Sequence, residues 1–300
     1  MLVKLDSSTT VASPSMLLRI VSQNIRYATN HPTPKEKLWN VRGPKLCNQL
    51  DFITSGHGSA FICLQEVLYS QLEDVRSYLG PEWGYIGVGR DDGKRSGEFS
   101  PVFFQIDRWE CERNQTLWLS KTPQKPSRGW DAALNRVVTV GEFVDKQTGT
   151  RVIVMSTHFD HKGVVAREES AKLILNVARE WSKGANGKPP TTVLLAGDFN
   201  STPADNAYKT MVAPESGMVD VSAQVPEEKR YGNELTYTSF DEPNEEPQRI
   251  DFLFVKNPSP VTIRTFGVLS NKFDDDVFLS DHRPVVADVE IPVLRAVKTD

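Results

Sequence analysis

Four runs of the sequence share a design that limits the possible folds. Each is a mostly apolar stretch of strand length that ends at a polar residue: MLLRIVSQN (16–24), SAFICLQE (59–66), RVIVMSTH (151–158) and TTVLLAGD (191–198). Such runs are typical of strands buried on both faces, which deliver their terminal side chains to one edge of a sheet. We therefore predict that the four polar ends share one edge: Asn24, Glu66, His158 and Asp198.

Other segments carry the β-branched and aromatic residues of strands. They are 97–105, 114–120, 136–144, 249–255, 260–269 and 283–291. An amphipathic helix follows Gly163, and weaker helical patterns lie near 40–54, 70–79 and 204–212. About ten strands with few helices predict an α/β fold of two packed sheets flanked by helices. We expect one domain over 16–293, with flexible tails at 1–15 and 294–300.

Composition and targeting signals narrow the functional class. The chain has 300 residues, 39% of them hydrophobic, and its 35 Lys and Arg against 39 Asp and Glu give a net charge of −4. This charge, without any run of five basic residues, argues against a broad nucleic-acid surface. Three widely spaced cysteines indicate neither a disulfide framework nor a zinc cluster. The apolar stretch from Met16 to Val21 is far shorter than the core of a signal peptide or a spanning helix, and we expect a cytoplasmic protein.

Polar pairs at several strand ends are candidates for chemistry. Asp198 and Asn200 in LLAGDFNSTP project to the same side of an extended chain, so that a carboxylate and an amide reach one small volume. The simpler interpretation is an Asp/Asn turn that stops at Pro203. Asp281 and His282 begin another apolar strand in FLSDHRPVV. Standing alone, such a pair is usually a capping carboxylate beside an exposed imidazole.

Asp251 lies in the apolar segment RIDFLFV, where a charged carboxylate is costly unless it is paired or binds a cation. A histidine is its natural partner, because the pair would fix the imidazole tautomer and favour the protonated form.

The segment STHFDH holds His158, Asp160 and His161, which first suggests zinc. The other candidate ligands are hard oxygen donors and favour magnesium or manganese instead. The alternative interpretation is that Asp160 and His161 shape the loop and that Glu66 borders the following helix. Four carboxylates that converge would need a cation or protons to neutralise them. They are Glu66, Asp198, Asp251 and Asp281.

Arg136 and Trp130 are the remaining candidates. Arg136 opens a strand after GWDAAL, where its guanidinium could hold a phosphate while Trp130 offers a stacking face. In most proteins such residues are an ordinary surface arginine and a core tryptophan. The glycines of GVGRDDG (87–93) lack the spacing and the lysine of a phosphate-binding loop, so that we interpret this segment as a connecting loop.

Taken in order, SQN, LQE, STHFDH, GDFN, RIDF and SDH resemble the motifs of the endonuclease/exonuclease/phosphatase superfamily of magnesium-dependent, deoxyribonuclease-like phosphoesterases. The match runs from about residue 17 to 292. GVGRDDG, GEFSPVFF, LWLS and GWDAALNR further resemble a bacterial and fungal branch that carries only the generic family name. The resemblance implies a four-layer α/β sandwich, in which two mixed sheets lie face to face with helices outside.

The resemblance also implies roles for individual residues. Glu66 is similar to the main magnesium ligand, with Asn24 beside it and Asp281 as a further metal ligand. Asp198 resembles the group that orients or deprotonates the attacking water, and Asn200 resembles its phosphate-binding neighbour. His282, oriented by Asp251, would donate to a phosphate oxygen.

His158 is similar to the second active-site histidine of the family, which also contacts the substrate phosphate. Glu98 occupies the position of that histidine's carboxylate partner, and Arg136 that of a phosphate-binding arginine.

The chemistry is shared across the superfamily while the substrates differ. The first hypothesis is a phosphodiesterase or phosphatase that uses a metal-activated water on a small or lipid-linked phosphate, with Mg²⁺ or a substituting Mn²⁺. The alternative is an endo- or exonuclease that acts on DNA or RNA, and an inactive binding module is a more distant one. We expect the loops 26–45, 87–97, 121–135 and 222–248 to set the specificity. The oligomeric state stays open.

Overall fold

Four α-helices and thirteen strands, with four short 3-10 helices, make up the regular structure of the described residues. The structure, a computed structural model, describes residues 14–183, 191–256 and 261–293. The helices are α1 (Trp39–Thr54), α2 (Tyr69–Leu79), α3 (Val164–Ser182) and α4 (Asn206–Met211). The strands are β1 (Ser15–Asn24), β2 (Phe61–Gln65), β3 (Trp83–Ile86), β4 (Val102–Gln105), β5 (Trp109–Trp118), β6 (Val137–Asp145), β7 (Arg151–His158), β8 (Thr192–Asp198), β9 (Met218–Asp220), β10 (Tyr231–Gly232), β11 (Asp251–Lys256), β12 (Thr262–Val268) and β13 (Val285–Pro292).

The strands form two mixed sheets. The first has the order β10-β12-β13-β1-β2-β4-β3 and the second the order β5-β6-β7-β8-β11-β9. β1 pairs parallel with β2, and β7 pairs parallel with β8. These four strands are the four apolar runs, and each parallel pair brings its two polar ends to the same edge.

Three apolar clusters define four layers. Phe61, Phe104 and Phe143 are buried between the two sheets, with ring centroids 4.9 Å apart from Phe61 to Phe143 and from Phe104 to Phe143. A second cluster packs α1 and α2 on the outer face of the first sheet, and a third packs α3 and α4 on the outer face of the second. The order helix, sheet, sheet, helix confirms the predicted four-layer α/β sandwich.

The predicted elements differ from the observed ones mainly at sheet edges. β3, β9 and β10 were not predicted, and of the segment 97–105 only the last four residues are a strand. The predicted tails, 1–15 and 294–300, lie outside the described residues except for Pro14 and Ser15, and Ser15 is the first residue of β1. Within the described part of the chain, no helix has the length and apolar character needed to cross a membrane.

Candidate active site

The register of the second sheet places three site residues in one row. His158, the last residue of β7, pairs with Asp198 at the end of β8, and Asp198 pairs with Asp251 at the start of β11. All three side chains are buried. The parallel and antiparallel pairings therefore bring residues separated by up to 93 positions into one line at the sheet edge.

Asn24 joins this row to the first sheet. Its side-chain Nδ2 lies 3.0 Å from Glu66 Oε1 and 3.0 Å from Asp198 Oδ2. The other Glu66 oxygen accepts the backbone N–H of Tyr27 at 3.1 Å. Asn24 ends β1 and Glu66 follows β2, so that the parallel pairing of these strands sets their distance. One amide group thus links carboxylates that belong to different sheets.

His282 reaches the same place from the loop before β13. Its Nδ1 lies 2.8 Å from Asp251 Oδ2, and its Nε2 lies 3.7 Å from Asp198 Oδ2. The ring of Tyr237 packs against the imidazole, with the two centroids 5.1 Å apart. The hydrogen bond to Asp251 fixes the proton on Nδ1, and Nε2 faces Asp198.

The two histidines of the site carry different charges. Burial opposes protonation of His282, but Asp251 and Asp198 hold its pKa well above the usual value. Burial and the positive charge of Arg136 keep the pKa of His158 well below its usual value. The surroundings therefore favour the imidazolium form of His282 and the neutral form of His158. Burial and the charge of Asp251 also raise the pKa of Asp198 to about 7.

The donor set fits a hard divalent cation. Glu66 and Asp281 are electrostatic neighbours, as are Asp198 and Asp251. The buried Oδ1 of Asp251 accepts no hydrogen bond among the described residues. Potential ligand atoms of Asp198, Asp251 and His282 also lie within 4.8 Å of one another, but the pairing of His282 with Asp251 leaves the carboxylates as the candidate ligands. Carboxylate oxygens crowded in this way repel one another unless a cation or protons are present, and they match the preferences of magnesium.

Several residues around the site adopt the left-handed backbone region that non-glycine residues rarely enter. The φ angles are 57° at Arg26, 59° at Glu66, 45° at Trp130 and 43° at Asn200. Each such residue costs about 1–3 kcal/mol, and such strain clusters at functional sites. Asn200 illustrates what the strain achieves: its N–H donates to Asp198 Oδ1 at 2.8 Å, and its side chain contacts His158 Nε2 at 3.0 Å.

Glu98 is held differently from the sequence expectation. Its two oxygens pair with Arg90 at 2.7 and 2.9 Å, whereas His158 Nδ1 lies 3.8 Å from Glu98 Oε2, beyond hydrogen-bond length. The bidentate guanidinium therefore occupies both carboxylate oxygens. Arg90 belongs to the GVGRDDG loop, which is a loop as predicted but also supplies a site residue.

Arg136 is buried rather than a surface arginine. Its Nε lies 3.5 Å from Asp160 and its Nη2 3.1 Å from His161, while Nη1 has no partner among the described residues. Asp160 and His161 thus shape this region, as the sequence allowed. Trp130 is half-buried in the adjoining loop.

Sequence reasoning missed Arg26, Arg90, Tyr237 and Arg42. Arg26 lies two residues after Asn24 and faces the carboxylates of Glu66 and Asp281. The fully buried Arg42 donates to the carbonyl groups of Ile25, Arg26 and Leu279, which flank the site. Nothing local marks Arg42, because its partners lie far away in the sequence. Only the position of Arg26 directly after a polar strand end could have indicated a role.

Comparison with known proteins is consistent with this geometry. The model of the Endonuclease/Exonuclease/phosphatase family matches residues 38–282. A search of curated proteins found no match. Among solved structures, the endonuclease/exonuclease/phosphatase from Bacteroides vulgatus is 34% identical, with a TM-score of 0.78, and the match covers 91% of this chain and 98% of that one.

Two structures from Bacteroides thetaiotaomicron are also similar. One is an endonuclease/exonuclease/phosphatase family protein with 30% identity, a TM-score of 0.80 and coverage of 93% of this chain and 99% of that one. The other is a mannosyl-6-phosphatase of strain VPI-5482 with 32% identity, a TM-score of 0.78 and coverage of 91% and 99%.

Proposed function

Since the chain belongs to the endonuclease/exonuclease/phosphatase family of hydrolases, we propose that it is a Mg²⁺-dependent phosphoester hydrolase that acts on a small or lipid-linked phosphate. One observation carries this proposal: the Asn24 amide bridges Glu66, the proposed metal ligand, and Asp198, whose Oδ2 lies 3.7 Å from His282 Nε2. Metal ligands and proton-transferring groups therefore share one buried volume.

Glu66, with Asn24 and Asp281, would hold the metal, with Mn²⁺ as a substitute. A bound divalent ion lowers the pKa of a coordinated water and offsets negative charge on phosphate oxygens. Asp198 orients the attacking water and takes its proton. The pKa of about 7 that burial gives this carboxyl in the metal-free protein suits a general base near neutral pH.

Three further side chains would bind the phosphate. The imidazolium of His282 donates from Nε2 to a non-bridging oxygen, while Asp251 accepts the Nδ1 proton and so orients the ring. Asn200 offers its amide, and the neutral His158 contacts the substrate beside it. Such preorganised donors typically supply about 10²–10³ of the rate each.

The similarity to a mannosyl-6-phosphatase supports a small phosphate monoester as the substrate. The net charge of −4 also supports a small substrate, because a negatively charged protein offers no broad basic surface on which a polyanion could bind. The free state of the three cysteines, all among the described residues, supports a reducing compartment, and we infer that the protein acts in the cytoplasm.

A nuclease is the second candidate, favoured by the two buried guanidinium groups of Arg90 and Arg136 near His158. Salt dependence separates the two functions. Binding of a strand through several phosphates releases counterions, so that affinity falls steeply with salt, whereas one phosphate gives a shallow slope. We expect the shallow slope.

Substitution of the base and of the donor tests the proposed function. Asp198→Ala and His282→Ala should each lower turnover of an aryl phosphate by at least about 100-fold, because each removes a group needed in the transition state. Circular dichroism and thermal unfolding should show an intact fold. Near-wild-type turnover in either variant would overturn the assigned roles. Absence of turnover in the wild type with Mg²⁺, Mn²⁺ or Ca²⁺ would favour an inactive binding module.

A further inference from the structure

The backbone of Arg26, two residues after the end of β1, is held in an unusual conformation. Its φ angle of 57° lies in the left-handed region, which a residue with a long side chain rarely adopts. The Arg26 N–H donates to Asn24 Oδ1 at 2.9 Å. The Arg26 carbonyl accepts from Nη2 of the buried Arg42 at 2.7 Å and from Nε2 of the buried Gln71 at 3.0 Å. Three hydrogen bonds therefore fix the place from which the Arg26 side chain leaves the chain.

The Arg26 guanidinium is bound on one side only. Its Nε lies 3.4 Å from Glu36 Oε1, and its Cζ lies 4.4 Å from the centre of the Tyr27 ring. The buried Glu36 also lies 3.7 Å from Arg42 Nη2, so that Glu36 is held in place independently of Arg26. Neither Nη1 nor Nη2 of Arg26 donates to another of the described residues, and neither is among their buried atoms. With the side chain 20% exposed, both N–H groups are accessible to a ligand.

The guanidinium lies beside the candidate metal ligands without pairing with them. The charges of Glu66 and Asp281 raise the pKa of Arg26 above its usual value, although burial opposes the charge. Among the described residues, the ion-pair partner of Arg26 is Glu36, not Glu66 or Asp281. Arg26 and Asp281 line the same cavity of about 340 Å³. The positive charge is therefore next to the proposed metal site, and its donors remain available.

Charge decides where an anion could bind to this guanidinium. Glu242 and Glu245 also line the cavity, so that the cavity as a whole does not attract an anion. The place next to Glu66 and Asp281 differs, because a divalent ion bound there would offset the carboxylates. A phosphate that binds this ion would lie beside Arg26. A planar guanidinium with two available N–H groups matches the geometry of phosphate oxygens.

A count of phosphate oxygens indicates which ester uses a further donor. A phosphodiester has two non-bridging oxygen atoms, which the metal ion and His282 Nε2 would take in the proposed function. A phosphate monoester has a third non-bridging oxygen and a second negative charge. A third charged partner thus contributes more to the binding of a monoester than to that of a diester.

We propose that Arg26 binds the substrate phosphate and is the residue that selects monoesters over diesters. Its free N–H groups donate to the third non-bridging oxygen. Glu36 and Arg42 are positioning residues, because they hold the guanidinium and the backbone of Arg26. The inference rests on the proposed function, since it names the residue that selects the class of phosphate hydrolysed at the same site.

A comparison of a monoester with a diester tests the inference. We would measure kcat/KM for para-nitrophenyl phosphate and bis-para-nitrophenyl phosphate in the wild type, Arg26→Met and Arg26→Lys. The monoester-to-diester ratio should fall about tenfold or more in Arg26→Met, because a charge-assisted hydrogen bond to the monoester is lost. The fall should be smaller in Arg26→Lys, which keeps the charge without the planar pair of donors.

Arg113→Met is the matched control. Arg113 also pairs with a carboxylate, that of Glu142, and its Cζ also lies over an aromatic ring, 4.3 Å from the centre of the Trp181 ring. This contact is near the end of α3, whereas the site lies at the start of α3. The variant should therefore keep the wild-type ratio.

Two binding measurements separate phosphate binding from support of the metal ligands. Inorganic phosphate should inhibit hydrolysis of the diester competitively, with an inhibition constant about tenfold or more higher in Arg26→Met than in the wild type. Binding of Mn²⁺ without substrate, followed by electron paramagnetic resonance, should be at least as tight in Arg26→Met, because a positive charge near the metal ligands is removed.

An unchanged ester ratio with unchanged inhibition by phosphate in Arg26→Met would overturn the inference. Equal losses for both esters together with weaker Mn²⁺ binding would also overturn it, because Arg26 would then only support the metal ligands. Absence of hydrolysis of both esters by the wild type with Mg²⁺, Mn²⁺ or Ca²⁺ would overturn the proposed function itself.

Discussion

Asp251 controls the protonation of His282. The two side chains are buried and 2.8 Å apart, and the pKa of His282 lies well above its usual value. A raised pKa means that the imidazolium persists as the pH rises and is lost only above the folded-state pKa. If the imidazolium binds the phosphate, activity should extend into alkaline solution.

Asp251→Asn keeps a hydrogen-bonding group but removes the charge. We expect the alkaline limb of the pH profile of kcat/KM to move to lower pH by about one unit or more, because the neighbouring charge that favours the imidazolium is gone. Asp275→Asn, which removes an exposed carboxylate paired with Lys45, should leave the profile unchanged. An unaltered alkaline limb in Asp251→Asn would contradict the assigned role.

The cysteines should differ in reactivity. Cys47 and Cys63 are fully buried, and burial raises the pKa of Cys47 to about 12 and also raises that of Cys63. Burial raises the pKa of Cys111 as well, but Cys111 is partly exposed and is therefore within reach of a reagent. Titration of the native protein with a disulfide reagent near pH 8 should label one thiol quickly, and the other two only after unfolding, since the thiolate is the reactive form. Cys111→Ser should abolish the fast phase; fast labelling of two thiols would contradict the burial.

At the scale of elements, one carboxylate holds two site loops together. Asp160 accepts backbone N–H groups from Ala133 and Leu134 of one loop, and from Lys162 and Gly163 of its own, at 2.8–3.1 Å. Asp131 then connects the first loop to α3 by accepting from the N–H groups of Val165 and Ala166. The loop that carries Trp130 is therefore held to the loop after β7 through Ala133 and Leu134, and to the start of α3 through Asp131.

Asp160→Ala should lower the free energy of unfolding by at least about 2 kcal/mol, because several buried donors lose a charged acceptor. Urea unfolding near pH 7 would measure the change, with Asp275→Ala as an exposed control whose effect should be small. The loss should shrink in acid. Hydrogen bonds hold the pKa of Asp160 below its usual value, so that its stabilisation is complete above the unfolded pKa of ~4 and disappears as the pH falls through the folded pKa. Equal stability of variant and wild type at neutral pH would contradict this role.

The elements that the sequence predicted are those whose cause is local. β1, β2, β7 and β8 were evident from continuous apolar runs, and α3 from its helical periodicity. β9 and β10 were missed, because strands of two or three residues at sheet edges carry no periodic pattern. The site residues divide in the same way. Those at the polar end of an apolar strand were predicted, because the strand itself is visible in the sequence. Those brought in by contacts between distant segments were missed. The bidentate pair of Arg90 with Glu98 and the packing of Tyr237 on His282 depend on loop conformation, which local sequence does not encode.

At the scale of the whole molecule, the candidate active site exists only because the two sheets pack together. Glu66 and Asn24 belong to the first sheet and Asp198 to the second, and the buried Asn24 amide joins them. The aromatic residues between the sheets hold this arrangement below the edge, and loops from both sheets build the site above it. Carboxylates from both sheets thus meet at one edge, where we propose that hydrolysis takes place.

Restoration of activity by metal tests this claim most directly. The protein, stripped with EDTA, would be offered an aryl phosphate monoester and a diester during titration with Mg²⁺, beside Asp198→Ala under the same conditions. We predict no turnover in EDTA, saturable recovery with Mg²⁺ in the wild type and at least about 100-fold less recovery in the variant, because the bound metal would lower the pKa of the water that Asp198 deprotonates. Equal turnover with and without metal, or equal recovery in the variant, would contradict the claim.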